Sequence, residues 1–145
     1  MIALRALSWK IVLVLFAIVW AGDSTAYYVG RRWGKKKLAP TVSPKKTWAG
    51  LYGQLAGGAL FGALAIVAMG NARIALLWAG LGAALSIVAV VGDLLESTFK
   101  RSCAVKDSGG LLPGHGGLLD RLDSLLYAAP VVLLISVLVP SSVPK

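Results

Sequence analysis

The chain has 145 residues, of which 57% are hydrophobic and 14% charged, with a mean hydropathy of +0.77. Soluble domains carry about 25% charged residues, so lipid is the expected solvent, and residues 1–145 form one membrane domain. The net charge of +9 does not indicate nucleic acid, since no soluble basic module accompanies it; basic loops on one side of a bilayer account for it.

The first apolar run extends from about Trp9 to Val29. Arg5 and Lys10 before it give it the look of a signal peptide, but the run is longer than an h-region of about 7–15 residues. It reads as a membrane span carrying one acid, Asp23, in GDSTAYYVG. A buried acid there either makes a packing hydrogen bond to a Ser or Thr across the bundle or lines a polar cavity; the cavity is the reading adopted. A basic loop follows, GRRWGKKKLAPTVSPKKT. Ser43, Lys45, Lys46 and Thr47 within it suit a triphosphate, or only anchor the loop to anionic lipid. Further spans run from Trp48 to Met69, from Ile74 to about Asp93 and from Leu122 to Val139. Each is close to the roughly 20 residues that a bilayer requires. Trp9, Tyr27, Tyr28, Trp33, Trp48 and Tyr127 fall where interfacial aromatics belong. The second and third spans are rich in Gly and Ala, which lets helices approach closely in lipid. The expected fold is therefore an all-α integral membrane protein of about four transmembrane helices with two charged loops. The basic residues concentrate in those loops, so both are expected to be cytoplasmic, with the termini outside. The lone cysteine, Cys103, is then a reduced thiol.

The acids are more lopsided than topology requires. Asp93, Glu96, Asp107, Asp120 and Asp123 lie within 93–123, with Lys100, Arg101, Lys106, Arg121 and the single histidine, His115. On a continuing third helix, Asp93, Glu96, Ser97 and Lys100 share a face. Asp120 and Asp123 share a face at the start of the fourth. The intervening KDSGGLLPGHGG holds five glycines and a proline, which preclude regular helix and let backbone approach a ligand. The loop can return the fourth helix beside the third, with Asp93 facing Asp120 and Asp123. Carboxylates ringed by Lys and Arg suit Mg²⁺ held jointly with phosphates, or a pair of metals at an in-line displacement. His115, without other His or Cys ligands near it, suits loop shaping or a phosphate contact better than metal.

These residues compose a pattern. Ser97, Lys100-Arg101, Lys106-Asp107, Gly109, Pro113, His115-Gly116-Gly117, Asp120-Arg121 and Asp123 closely resemble the signature of the phosphatidate cytidylyltransferase (CDP-diacylglycerol synthase) family. Upstream, Asp23 with Ala26-Tyr27 and Gly30 resembles the family's acid in an early catalytic-domain helix. Ser43-Pro44-Lys45-Lys46-Thr47-Trp48 resembles its SPxKTW segment, and Gly92-Asp93-Leu94 with Glu96-Ser97 matches the approach to the signature. Ala49 replaces an acid that members often carry there, and members commonly run to nearly twice this length. The chain thus looks like the C-terminal catalytic half, either a fragment or a short member that assembles as a homodimer.

The resemblance implies transfer of the cytidylyl group of CTP to phosphatidate, giving CDP-diacylglycerol and pyrophosphate, with Mg²⁺ and a second cation such as K⁺. By position, Asp93, Asp120 and Asp123 would hold metal, and Lys100 would join them in catalysis. Ser97, Arg101, Lys106, His115, Arg121, Lys45, Lys46 and Asp23 would form the substrate site. The implied setting is multi-pass in the cell inner (plasma) membrane, with the site facing the cytoplasm. Two other readings compete. One is a CTP-dependent polyprenol- or phytol-type lipid kinase, which the full HGG-x₂-DR-x-D pattern disfavours. The other is an inactive or ion-conducting membrane protein, motivated by acids within spans.

Overall fold

A computed structural model describes residues 8–102 and 119–138 together with Ile2; of 119–123 it describes the backbone alone. Its first long helix, α1, covers Trp9–Trp33. The Ser8 side chain caps it by accepting a hydrogen bond from the Lys10 amide at 3.3 Å. The helix runs one turn past the expected span. No breaker occurs before Gly34, and Arg31 and Arg32 in its last turn complement the negative end of the helix dipole.

The basic loop contains regular structure that hydropathy did not reveal. Strands β1 (Lys37–Ala39) and β2 (Ser43–Thr47) form an antiparallel pair, with Lys37 opposite Thr47, Ala39 opposite Ser43 and a register shift between them. The charged side chains mask the pattern, and pairing satisfies backbone groups that would otherwise need water at a lipid boundary. The pairing continues into the next helix through a Trp48 amide bond to the Lys36 carbonyl, 3.1 Å.

Helix α2 covers Trp48–Ala68, capped by Thr47, whose Oγ1 accepts from the Gly50 amide at 3.1 Å. A tight return follows. Gly70 adopts φ +79, a left-handed conformation that glycine reaches without steric cost, and a 3₁₀ turn spans Ala72–Ile74. Helix α3, Ala75–Ser102, continues well beyond the expected span end near Asp93. Helix α4 covers Leu119–Leu138, with Pro130 inside it.

Successive helices are antiparallel neighbours, and α4 also touches α1. Among the described residues, α1, α2 and the 3₁₀ turn with α3 are long and apolar enough to cross a membrane; Ser124–Leu138 of α4 is a shorter apolar stretch. The core sits in the half of the bundle away from the hairpin, built from Ile11, Leu15, Ile18, Ile66, Trp78, Leu85 and Val132. Between α2 and α3, bulk gives way to close approach. A Cβ on Gly82 of α3 would strike the Gly58 carbonyl of α2, so the two backbones touch where small residues meet, as expected for association in lipid. Large apolar side chains such as Trp20, Leu76 and Val137 face outward, as suits a bundle whose surroundings are hydrocarbon.

Candidate functional site

The hairpin closes one end of the bundle over a cleft of about 650 Å³. Helix α1 contributes Asp23, Tyr27, Gly30 and Arg31; the hairpin contributes Lys37, Lys45, Lys46 and Thr47; α2 contributes Gly50 and Gln54; α3 contributes Val90 and Asp93. Three elements far apart in sequence therefore bring two carboxylates and four basic side chains to one cleft. Positive charge exceeds negative there, so the cleft favours a multiply charged anion over a cation alone.

The carboxylates are held differently. Asp23 is exposed to the cleft, and its Oδ1 accepts from Gln54 Nε2 at 2.9 Å. Both readings of Asp23 thus hold in part: it lines a cavity and also joins two helices, but through a Gln rather than a Ser or Thr. Gln54 is itself buried, and its backbone carbonyl accepts from Ser86 Oγ of α3 at 3.1 Å. A polar layer therefore crosses α1, α2 and α3. Beside it, Thr25 Oγ1 lies 2.8 Å from the Gly53 carbonyl and 2.9 Å from those of Ala21 and Gly22, so one hydroxyl proton serves both helices.

Asp93 is bound on both oxygens. Oδ2 pairs with the Lys46 ammonium, and Oδ1 accepts from Ser97 Oγ one turn further along α3, at 3.4 Å. Lys46 Nζ also reaches the Val90 carbonyl at 3.4 Å. The continuous α3 gives Asp93, Glu96, Ser97 and Lys100 the shared face expected of them, and Lys100 pairs with Glu96 at 3.1 Å. Ser97, Lys100 and Arg101 stand beyond the cleft rim rather than lining it.

Lys106 and His115 lie outside the described residues. Asp120, Arg121 and Asp123 lie at the N-terminal end of α4, with side chains likewise outside them. The packing of Tyr127 against Gly92 sets the level of α4. Since α4 runs antiparallel to α3, its N-terminal end passes the part of α3 that begins at Asp93. Among the described residues no three His, Cys, Asp or Glu side chains gather as a metal group. Asp93 is a partly exposed carboxylate on the cleft wall, with a lysine ammonium as its present counter-ion, so a metal would bind it by displacing that lysine. Mg²⁺ is commonly held by one or two carboxylates together with substrate phosphates, which is the chemistry this wall offers.

Sequence reasoning missed Gln54, Arg31 and Lys37. A polar amide in the middle of a Gly- and Ala-rich span is the signal that Gln54 gives. Arg31 and Lys37 were counted as topology residues; the last turn of α1 and strand β1 bring them to the cleft, where Arg31 Nη1 donates to Tyr27 Oη at 3.1 Å. Thr47, considered for phosphate, spends its hydroxyl on capping α2.

Comparison with known proteins identifies the family. Residues 2–139 match the model of the cytidylyltransferase family. The chain belongs to that family. It is 50% identical over 122 residues to a phosphatidate cytidylyltransferase of Pseudomonas aeruginosa, covering 83% of this chain and 45% of the relative. It is 48% identical over 127 residues to the enzyme of that name from Brucella abortus, covering 85% and 45%. With that of Haemophilus influenzae it shares 45% over 124 residues, covering 83% and 43%. The chain therefore spans about half the length of the curated relatives it matches.

Proposed function

We propose that this chain carries the site that transfers the cytidylyl group of CTP to phosphatidate, releasing pyrophosphate and forming CDP-diacylglycerol. The observation that carries the reading is the cleft itself. It opens at one end of an apolar bundle, holds Asp23 and Asp93, and is rimmed by Arg31, Lys37, Lys45 and Lys46, in a chain 50% identical to a phosphatidate cytidylyltransferase.

In this reading the basic rim draws in the triphosphate and orients it, and its positive charges offset negative charge building on the departing pyrophosphate. A phosphate oxygen of phosphatidate attacks the α-phosphorus, and the bond to the pyrophosphate oxygen breaks. Phosphatidate stays anchored in lipid by its acyl chains, so its headgroup meets CTP only at the membrane surface, the level of the hairpin. Asp93, with Asp120 and Asp123 on α4, would hold Mg²⁺, with K⁺ as a second cation. Bound there, the cation would supply charge neutralisation between the phosphates of the two substrates. Asp23, fixed by Gln54, keeps one carboxylate oriented on the opposite wall. Ser97, Lys100, Arg101, Lys106 and Arg121 are assigned to phosphate contacts, and His115 to shaping the pocket. The concentration of Lys and Arg at this end supports a cytoplasmic orientation in the inner membrane. The proposed assembly is a homodimer, in which a second copy adds helices around the lipid side.

The test is release of pyrophosphate from CTP by the chain in mixed micelles with phosphatidate and Mg²⁺. Turnover that disappears in Asp120→Asn and in Asp123→Asn, with both variants still inserted, is the expected result. CDP as the product would instead identify a lipid kinase. Undiminished turnover in both variants would sink the assignment of these carboxylates.

A further inference from the structure

Lys46 stands where β2 meets the N-terminus of α2. Its ion pair with Asp93 joins the hairpin to α3 and arises from the tertiary fold, unlike the Glu96–Lys100 pair, which follows from i,i+4 helical spacing. The pair is not sealed: the two side chains are 21% and 34% exposed and lie on the cleft wall. The other oxygen of Asp93 is engaged by Ser97. Both oxygens thus have partners before any ligand arrives, and one partner is a full positive charge.

A carboxylate lone pair that accepts an ammonium proton is not free for a divalent ion, and two cations crowded on one half-buried carboxylate repel strongly. Lysine carries its charge on a flexible four-carbon stem. Lys46 can therefore leave Asp93 without moving the backbone, provided that a negative group is at hand to receive it. The cleft, with Arg31, Lys37 and Lys45 on its rim, is where a polyanion would sit. We infer that Lys46 is a tethered internal cation that guards Asp93: it competes with a divalent ion arriving alone, and it yields when a triphosphate in the cleft takes up its ammonium. Metal and triphosphate then bind cooperatively through one side chain, and the coupling is the same in both directions. The inference rests on the assignment of Asp93 as a cation ligand made above.

Two measurements on the detergent-solubilised chain test it, with Mn²⁺ as the probe. The first is Mn²⁺ affinity without nucleotide, read from the electron paramagnetic resonance of the free ion. Lys46→Gln should bind Mn²⁺ more tightly than the parent by about 5- to 150-fold, the usual span of a coupling between sites. Lys46→Arg should stay close to the parent. The second needs no substitution. Acetylation of Lys46 is followed by mass spectrometry against exposed Lys35 as reference. Mn²⁺ alone should speed Lys46 labelling, and CTP added with Mn²⁺ should slow it again. Unchanged or weaker Mn²⁺ binding in Lys46→Gln, or labelling of Lys46 indifferent to Mn²⁺, overturns the inference. Asp93→Asn separates the two levels of argument. If it binds Mn²⁺ like the parent, the cation assignment itself fails, and the guarding role with it. If it loses Mn²⁺ while Lys46→Gln shows no gain, the guarding role alone fails.

Discussion

At the scale of single residues, charge in an apolar chain is conspicuous, and amides are not. Asp23 and Asp93 stood out in the sequence because acids within or at the ends of spans are costly, and Lys45 and Lys46 as phosphate candidates in a basic loop; the fold brings all of them to one cleft. Gln54 did not stand out, although it orients Asp23. Nor did the sequence pair Lys46 with Asp93, since that contact depends on how the hairpin lies over α3. Gln54→Leu removes the donor to Asp23. Because Asp23 faces the open cleft, the cost in stability should be small, about 1 kcal/mol, while pyrophosphate release falls by a larger factor. Thermal unfolding and an assay of turnover on the same sample compare the two. A loss of stability with turnover intact would show that Gln54 is only a packing residue.

At the scale of elements, hydropathy located three long helices and a shorter fourth, and local chemistry set their ends. Helix α1 continues to Gly34 because nothing stops it sooner, and α3 outruns its apolar segment because Glu96 and Lys100 support the extra turns one step apart. The hairpin was illegible, since alternation is lost in a run of lysines and prolines. Two sets of changes probe this level. Thr47→Val keeps the shape of the cap but not its oxygen; a lost N-cap costs about 0.5–2 kcal/mol, to be seen as a lower unfolding temperature. Gly82→Ala drives a methyl into the Gly58 carbonyl and should cost about 1–3 kcal/mol, as overpacking does. Gly80, on the same helix, has nothing within 4 Å of a Cβ among the described residues. Gly80→Ala should therefore stabilise, by up to about 1 kcal/mol of helix propensity. Equal effects at the two glycines would refute the close crossing of α2 and α3.

At the scale of the whole molecule, the cleft joins two media. Its walls are the ends of apolar helices, and its rim is basic, so a soluble polyanion approaches through a screened field. Between roughly 0.1 M and 1 M salt the Debye length falls from about 10 Å to about 3 Å. CTP binding, followed by calorimetry in micelles, should weaken markedly over that range, whereas helix content by circular dichroism should hold, because the bundle is built on apolar contact. Salt-independent CTP binding would argue against the basic rim as its docking surface. The composition made this division legible from the start. That Asp93 could face the start of α4 was legible only as a possibility of the glycine-rich loop; what the fold adds is the level of α4 against α3, set by Tyr127 packed on Gly92.

The polar layer through Asp23, Gln54 and Ser86 has one more consequence. Faces made of glycine and alanine are smooth, and smooth faces can slide. A slip of one helical turn, about 5.4 Å, would put Gly50 or Gly58 where Gln54 stands and still leave small residues touching. What such a slip cannot reproduce is the single amide aimed at a single carboxylate. The layer works as a notch in an otherwise featureless rail: it selects one alignment among several of similar closeness, and that alignment places Asp23 and Asp93 on the same opening.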